Sequence, residues 1–265
     1  MTSAPPPKPR HPFSFYLLPF ILPILLITIW QLASNLDWLK SSILPSPLVI
    51  AQTLLDLLKS GELIQNLEIS LLRVLEGFAI GAGLGLIVGF AMGLSKSMEQ
   101  ALTLITGLLR PIPTIAWIPA LILWMGIGES SKVTVIAVGS FWPVLLSAIQ
   151  GVRSTDPKYL EVTRILEKDR ITLLTQVIIP SALPSIFTGL RVGMGIAWAS
   201  VVGAELIAAS SGIGFMIMYA REVSQPDVML VGVAAIGLTG LLIDFLLLQL
   251  QRRLLKWNSA WAGES

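Results

Sequence analysis

The sequence holds no cysteine and a single histidine, His11. The first absence excludes a disulfide scaffold and any thiolate-ligated metal centre. The second leaves almost no material for imidazole acid–base chemistry or a zinc site of the H-E-x-x-H kind, so no metal ligands are expected. Charge is scarce too: Asp, Glu, Lys and Arg make up 13% of the chain, about half the share of a soluble domain. No G-x-x-x-x-G-K-[ST] run occurs, which excludes a Walker-type nucleotide site within this chain. A membrane-embedded enzyme would need clustered His, Cys or carboxylates in its apolar stretches; these are missing, and the chain is not read as an enzyme. Apolar residues are what the chain has in excess, 54% of 265 residues with a mean hydropathy of +0.79. That excess rules out disorder.

A helix needs about 20 mostly apolar residues to cross the hydrocarbon layer. Charge-free stretches run over 12–36, 77–95, 111–128 and 133–152. Two more, over 186–209 and 228–250, carry only Arg191 and Glu205, and Asp244, respectively. The expectation is an all-α polytopic membrane protein with six transmembrane helices. A barrel is unsuited to these continuous runs, which lack the alternation it requires. Residues 1–12, with five prolines, read as a flexible tail, 13–36 as the first transmembrane helix, and 249–265 as a second tail. The first apolar run is longer than a secretory signal core and is expected to be retained. Twelve of the 18 Lys and Arg residues fall in the tails and the even-numbered loops, most densely at Arg153, Lys158, Arg164, Lys168 and Arg170. By the positive-inside rule both termini are expected in the cytoplasm.

Gly77, Gly81, Gly85, Gly89 and Gly93 recur every four residues and mark one face of the second helix. Such a stripe lets another backbone approach closely, either within one subunit, the favoured reading, or at a dimer face. Pro111, Pro113 and Pro119 interrupt the third stretch, and Pro113 and Pro119 are candidates for a pathway lining as much as for kinked packing. Glu205, an ionisable group at membrane depth, is either part of a pathway mouth or one half of an interhelical pair. Arg191 and Asp244 read as an interhelical ion pair or as snorkelling side chains. The stretch 48–76 is expected to lie at the outer surface and lead into the second span.

The long loop 153–185 is predicted to be structured. Asp156 and Pro157 form an N-cap and N1 pair. Behind them Tyr159, Leu160, Val162, Ile165 and Leu166 make an apolar face opposite Lys158, Glu161, Arg164, Glu167 and Lys168. A second short helix is expected over 171–179, ending at Pro180 and Pro184.

The run Glu161-Val162-Thr163-Arg164-Ile165-Leu166-Glu167, followed after nine residues by Val177-Ile178-Ile179-Pro180, resembles the E-A-A-x3-G-x9-I-x-L-P loop of binding-protein-dependent ABC importer permeases. Glu161 and Pro180 match, while Val162 and Thr163 replace the alanines and Glu167 the glycine. Similar segments of the sulfonate, taurine, nitrate and bicarbonate branch include Ile43-Leu44-Pro45-Ser46-Pro47, Leu109-Arg110-Pro111-Ile112-Pro113 and Ser211-Gly212-Ile213-Gly214. The tail from Arg253 to Trp261 is most like aliphatic sulfonate permeases.

The resemblance implies a type I ABC importer transmembrane-domain fold over 66–248, in a bacterial inner (plasma) membrane. It implies a pathway for a small oxyanion, an aliphatic sulfonate first and nitrate, taurine or bicarbonate next. Its partners would be a second permease copy, in a homodimer, two ATP-binding subunits that hold ATP and Mg, and an extracytoplasmic substrate-binding protein. The lipid bilayer surrounds the permease, and no nucleic acid is expected. The segment Asp156 to Lys168, centred on Glu161, would dock on the ATPase and couple its closure to the helices. An alternative of another class is a secondary transporter or channel without ATPase subunits. It would call for coupling charges near the midplane and an internal repeat.

Overall fold

The computed structural model describes residues 14–256, and every regular element among them is helical. The expected tail 1–12, with His11, and residues 257–265 lie outside the described residues, while 249–254 of the second expected tail are helical. α1 (Ser14–Asn35) is tethered to the next helix by the Gln31 side-chain carbonyl, which accepts the Leu48 N–H at 3.1 Å. Ser46 caps α2 (Pro47–Ser60), accepting the Val49 N–H, and Pro47 occupies the first turn, where its missing N–H costs nothing. Gly61, at φ 79, both closes α2 and opens α3 (Glu62–Leu94), a left-handed corner that a side chain would strain.

With 33 residues, α3 is about 50 Å long. It therefore begins some 15 residues before the charge-free run that predicted it. The stretch expected as one surface segment is in fact α2 plus the first four turns of this helix. Charges had masked the continuity, because a helix longer than the bilayer is thick can carry them on its protruding end.

α4 (Lys96–Leu109) is capped by Ser95. Pro111 and Pro113 then stop the helix, and the chain resumes as a 3₁₀ turn, Thr114–Trp117, leading into α5 (Ile118–Met125). The two arms meet at 87°. The third predicted span, 111–128, is thus not one straight helix but the second half of a broken pair that starts at Lys96. Prolines announce a break, yet their number does not fix its direction.

α6 (Glu129–Arg153) leads through a short turn to α7 (Pro157–Ile165). α8 (Arg170–Thr172) passes through a π-helical turn, Leu173–Ile178, into α9 (Ile179–Ala208), making one rod of 39 residues. The short helix predicted to end at Pro180 does not end there. Pro180 lies in the first turn of α9, directly after the wider π turn that absorbs the lost N–H, and Pro184 is carried inside the helix. α10 (Ile213–Glu222) and α11 (Pro226–Leu254) complete the chain.

Four helices are long and apolar enough to cross a membrane singly: α3, α6, the Arg170–Ala208 rod and α11. The bent α4–α5 pair makes a fifth, and α1, with its shorter apolar stretch Ile21–Asn35, is the sixth apolar segment of an all-α membrane fold.

α6 is the spine, packed between α3 and α9. Gly77, Gly81, Gly85, Gly89 and Gly93 of α3 face Ile136, Ser140, Val144, Ala148 and Val152 of α6, both series advancing by four. Because both rise together, the two helices are parallel. A Cβ at Gly77 or Gly89 would stand 2.6 Å from Ile136 Cβ or Ala148 Cβ, too close for either helix to accept. On the other flank Gly139 meets Ser200, Gly189 meets Ser147 and Gly151 meets Ala182, so α6 and α9 are antiparallel. Val74, Ile136, Met194, Ala197, Trp198 and Val201 fill the space where the three helices converge. The Trp198 indole N–H donates to the Ile236 carbonyl at 3.1 Å and ties α9 to α11.

Candidate transport site

A buried ionic cluster closes one end of the bundle, where α3, the start of α6 and the end of α9 meet. The Arg73 guanidinium, 4% exposed, grips Glu129 through Nε (2.6 Å) and Nη2 (2.7 Å). Its Nη1 donates to Glu205 Oε1 (2.8 Å) and to the Ser211 carbonyl (2.7 Å), and Nη2 also reaches the Ser211 hydroxyl (3.1 Å). All five N–H directions of the fork are thereby used. The Glu205 carboxylate, with its side chain 0% exposed, also accepts the Ser70 hydroxyl (2.8 Å) and the Gly214 N–H (2.9 Å). Lys132 adds a second cation on Glu129 at 2.7 Å.

The turn between α9 and α10 is held by the same cluster. Asn66 Oδ1 accepts the Gly212 N–H and Ser70 Oγ accepts the Ile213 N–H. Gly212 sits at φ 107, and a Cβ there would run into the Glu205 carboxylate. Four segments are therefore fastened by one cluster of four charges, in which Arg73 and Glu205 are buried and Glu129 is exposed beside Lys132, and the buried pair has its polar atoms matched, the condition under which a buried ion pair is tolerated. The sequence singles out Glu205 but leaves Arg73 within the stretch 48–76 expected at the outer surface. The signal was its place four residues before Gly77, on the packing face of α3.

On the side of the bundle an open cleft of about 300 Å³ lies beside the α4–α5 break. Pro113, Thr114 and Ile115 form one wall, Ile196, Ala199 and Ser200 of α9 the other, and no charged residue lines it. Of the three pathway candidates, Pro113 is in this wall. Pro119 lies at the start of α5, exposed and outside the lining, and Glu205 is sealed in the ionic cluster.

At the opposite end of the bundle from the cluster, α7 projects beyond the helix pack. Asp156 accepts the Lys158 N–H at 2.9 Å and Pro157 opens the helix. Thr163 is buried against the bundle, and Leu160 is half-buried. Tyr159, Val162, Ile165 and Leu166 point outward, Ile165 being 79% exposed, and Glu161 is exposed beside them. The arrangement is an apolar stripe with no partner within the described chain.

The transport-system family described as "Binding-protein-dependent transport system inner membrane component" matches residues 81–256. The chain belongs to this family. It is 42% identical to a putative aliphatic sulfonates transport permease protein of Bacillus subtilis (strain 168), with 92% of this chain and 88% of the other aligned. It is 38% identical to a taurine transport system permease protein of Escherichia coli (strain K12), over 88% of this chain and 86% of that one. A crystal structure of an amino acid ABC transporter with histidines superposes with a TM-score of 0.63 at 19% identity, covering 75% of this chain and 97% of that one. The fold is that of type I ABC importer transmembrane domains, and the chain is an importer's permease subunit, a non-catalytic multi-pass component of the inner membrane.

In this permease Glu167 takes the place of the loop glycine. It adopts φ 47, the left-handed conformation natural to glycine. Its neighbour Asp169 accepts the Thr172 hydroxyl, a bond that holds its carboxyl below the usual carboxylate range. Pro180 stands at the far end of the loop, in the first turn of α9.

Arg191 and Asp244 are joined across α9 and α11 in a bidentate pair, Nη2 to Oδ1 at 2.9 Å and to Oδ2 at 3.0 Å.

Proposed function

We propose that this permease imports an aliphatic sulfonate, as one of two identical copies, receiving substrate from an extracytoplasmic binding protein and driven by two ATP-hydrolysing subunits. ATP and Mg belong to those subunits, since the chain has no phosphate-binding loop of its own. The observation that carries the reading is the unpartnered stripe Tyr159, Val162, Ile165 and Leu166 on a short capped helix, a shape that fits a groove on another protein. α7 follows α6 and precedes the Arg170–Ala208 rod in the chain, so a push on it reaches both walls of the central pack. Both termini and α7 then lie in the cytoplasm, and the Arg73–Glu205 cluster at the outer end. Sulfonate is favoured over taurine, nitrate and bicarbonate by the relative at 42% identity, itself named for aliphatic sulfonates.

The test is purification of the tagged permease from its native membrane in mild detergent, followed by reconstitution. A P-loop ATPase should copurify and should be lost with Glu161→Ala. ATP-dependent uptake of an alkanesulfonate should require the binding protein. A permease that emerges without any ATPase, and transports on an ion gradient, would overturn the reading in favour of a secondary transporter.

A further inference from the structure

We propose that the cleft beside the α4–α5 break is a substrate subsite within the permease itself, shaped for a small oxyanion bearing an apolar tail. The inference rests on the importer reading above and adds a recognition step to it.

Ser200 is the first reason. It lines the cleft, is only 9% exposed, and its hydroxyl makes no hydrogen bond among the described residues. Helical Ser and Thr side chains commonly turn back onto a carbonyl of their own helix. Ser140, Thr163, Thr175 and Thr188 all do so here. Ser200 does not, and neither does Thr114, which faces the same cleft from the other wall. The Ser200 hydroxyl is not one of the sealed, unpaired polar atoms among the described residues; it keeps contact with the open cleft and is available to a ligand there. Gly139 of α6 makes room for the pair: a Cβ there would stand 2.6 Å from Ser200 Oγ and 3.3 Å from Thr114 Cγ2.

The backbone is the second reason. Between Leu109 and Thr114 the chain leaves helical geometry within the bent α4–α5 pair, with Arg110 at the corner and Pro111 and Pro113 supplying no N–H. Irregular backbone at membrane depth is stable only against protein or a water-filled cavity. This wall of the cleft therefore borders other protein or a hydrated space and not lipid.

The lining then specifies the ligand. Two neutral hydroxyls, with no cation, hold an anionic headgroup weakly enough to release it. Ile115, Ile118 and Ile196 supply an apolar surface beside them. An inorganic oxyanion entering this cleft loses hydration and gains two hydrogen bonds. An alkanesulfonate gains the same bonds and buries its tail, an advantage of about fourfold per methylene. The cleft discriminates by tail and not by charge.

The experiment uses the whole importer in proteoliposomes, with the same binding protein throughout, so that differences between variants report on the permease. Uptake of methane-, ethane- and butanesulfonate and of nitrate is measured beside binding-protein-stimulated ATP hydrolysis. Ser200→Ala should lower sulfonate uptake by about threefold to tenfold, the range of one neutral hydrogen bond, with ATP hydrolysis still stimulated. Ile115→Ala, at a side chain 61% exposed and not needed for packing, should flatten the preference for butane- over methanesulfonate. Gly195→Trp, at a position with nothing within 4 Å, should plug the cleft and stop uptake while the complex still assembles. If wild-type uptake is normal and neither Ser200→Ala nor Ile115→Ala changes rate or chain-length preference, the subsite is wrong and the importer reading stands. If Gly195→Trp separates the two permease copies, the cleft is a subunit seam and the proposal falls. If the wild-type complex imports no sulfonate at all, the reading beneath the proposal fails with it.

Discussion

Glu205 and Arg73 are 132 residues apart in the chain and 2.8 Å apart in space. Each is buried, and Arg73 is the cation that compensates Glu205, while Arg73 itself is also held in a bidentate grip by Glu129. Removing Arg73 strands the Glu205 charge, whereas removing both leaves no unpaired buried charge at that point. Arg73→Met is therefore expected to destabilise the permease by about 3 kcal/mol or more, and the double variant Arg73→Met/Glu205→Met to recover most of that loss. Thermal unfolding in detergent of the two single variants and the double variant measures the coupling directly. Additive losses would mean that the pair does not act as a unit.

The zipper between α3 and α6 predicts a sharp contrast between neighbouring glycines. Gly81→Ala should lower complex yield and cost about 1–3 kcal/mol through overpacking, because its Cβ would enter the Ala137 carbonyl and the Ser140 hydroxyl. Gly83→Ala meets nothing within 4 Å and should be neutral or slightly stabilising. Fluorescence size-exclusion yield and melting temperature for the two variants decide the matter.

Much of this was legible from the residues alone. The glycine period is a one-dimensional signal, and a four-residue repeat on a helix can mean only a stripe. The cap at Asp156 and Pro157 is equally local. What was hidden is what depends on distance in the chain. Arg73 looked like a loop charge because its carboxylate partners, Glu129 and Glu205, belong to other helices. Pro180 and Pro184 looked like terminators because proline breaks helices in water, but here a π turn and surrounding helices take up the missing bond. The cleft hydroxyls Ser200 and Thr114 carried no pattern at all, being unremarkable residues made significant by what they fail to touch.

Glu167 holds a conformation that costs a side-chain-bearing residue about 1–2 kcal/mol. Glu167→Gly is expected to relieve that strain and slow amide hydrogen exchange across 165–170, leaving ATPase copurification intact. Faster exchange would mean that the Glu167 side chain, and not the turn, holds this corner.

The outward stripe of α7 gives the fourth expectation. Ile165→Asp changes a side chain that is 79% exposed and should leave the permease's stability within about 0.5 kcal/mol of wild type while abolishing ATPase copurification. Retained copurification would move the contact elsewhere on the loop.

The parallel setting of α3 and α6 constrains everything between them. Two neighbours that point the same way cannot be joined by a tight turn, so residues 95–128 must carry the chain back across the full thickness of the membrane. The α4–α5 pair is for this reason a true return crossing and not a loop that dips in and leaves by the same side. It is also the crossing made in two pieces, with a corner of 87° where a straight helix would have satisfied its own backbone. The rigid zipper thus requires a return crossing in this wall, and the break at Pro111 and Pro113 opens the cavity at its corner.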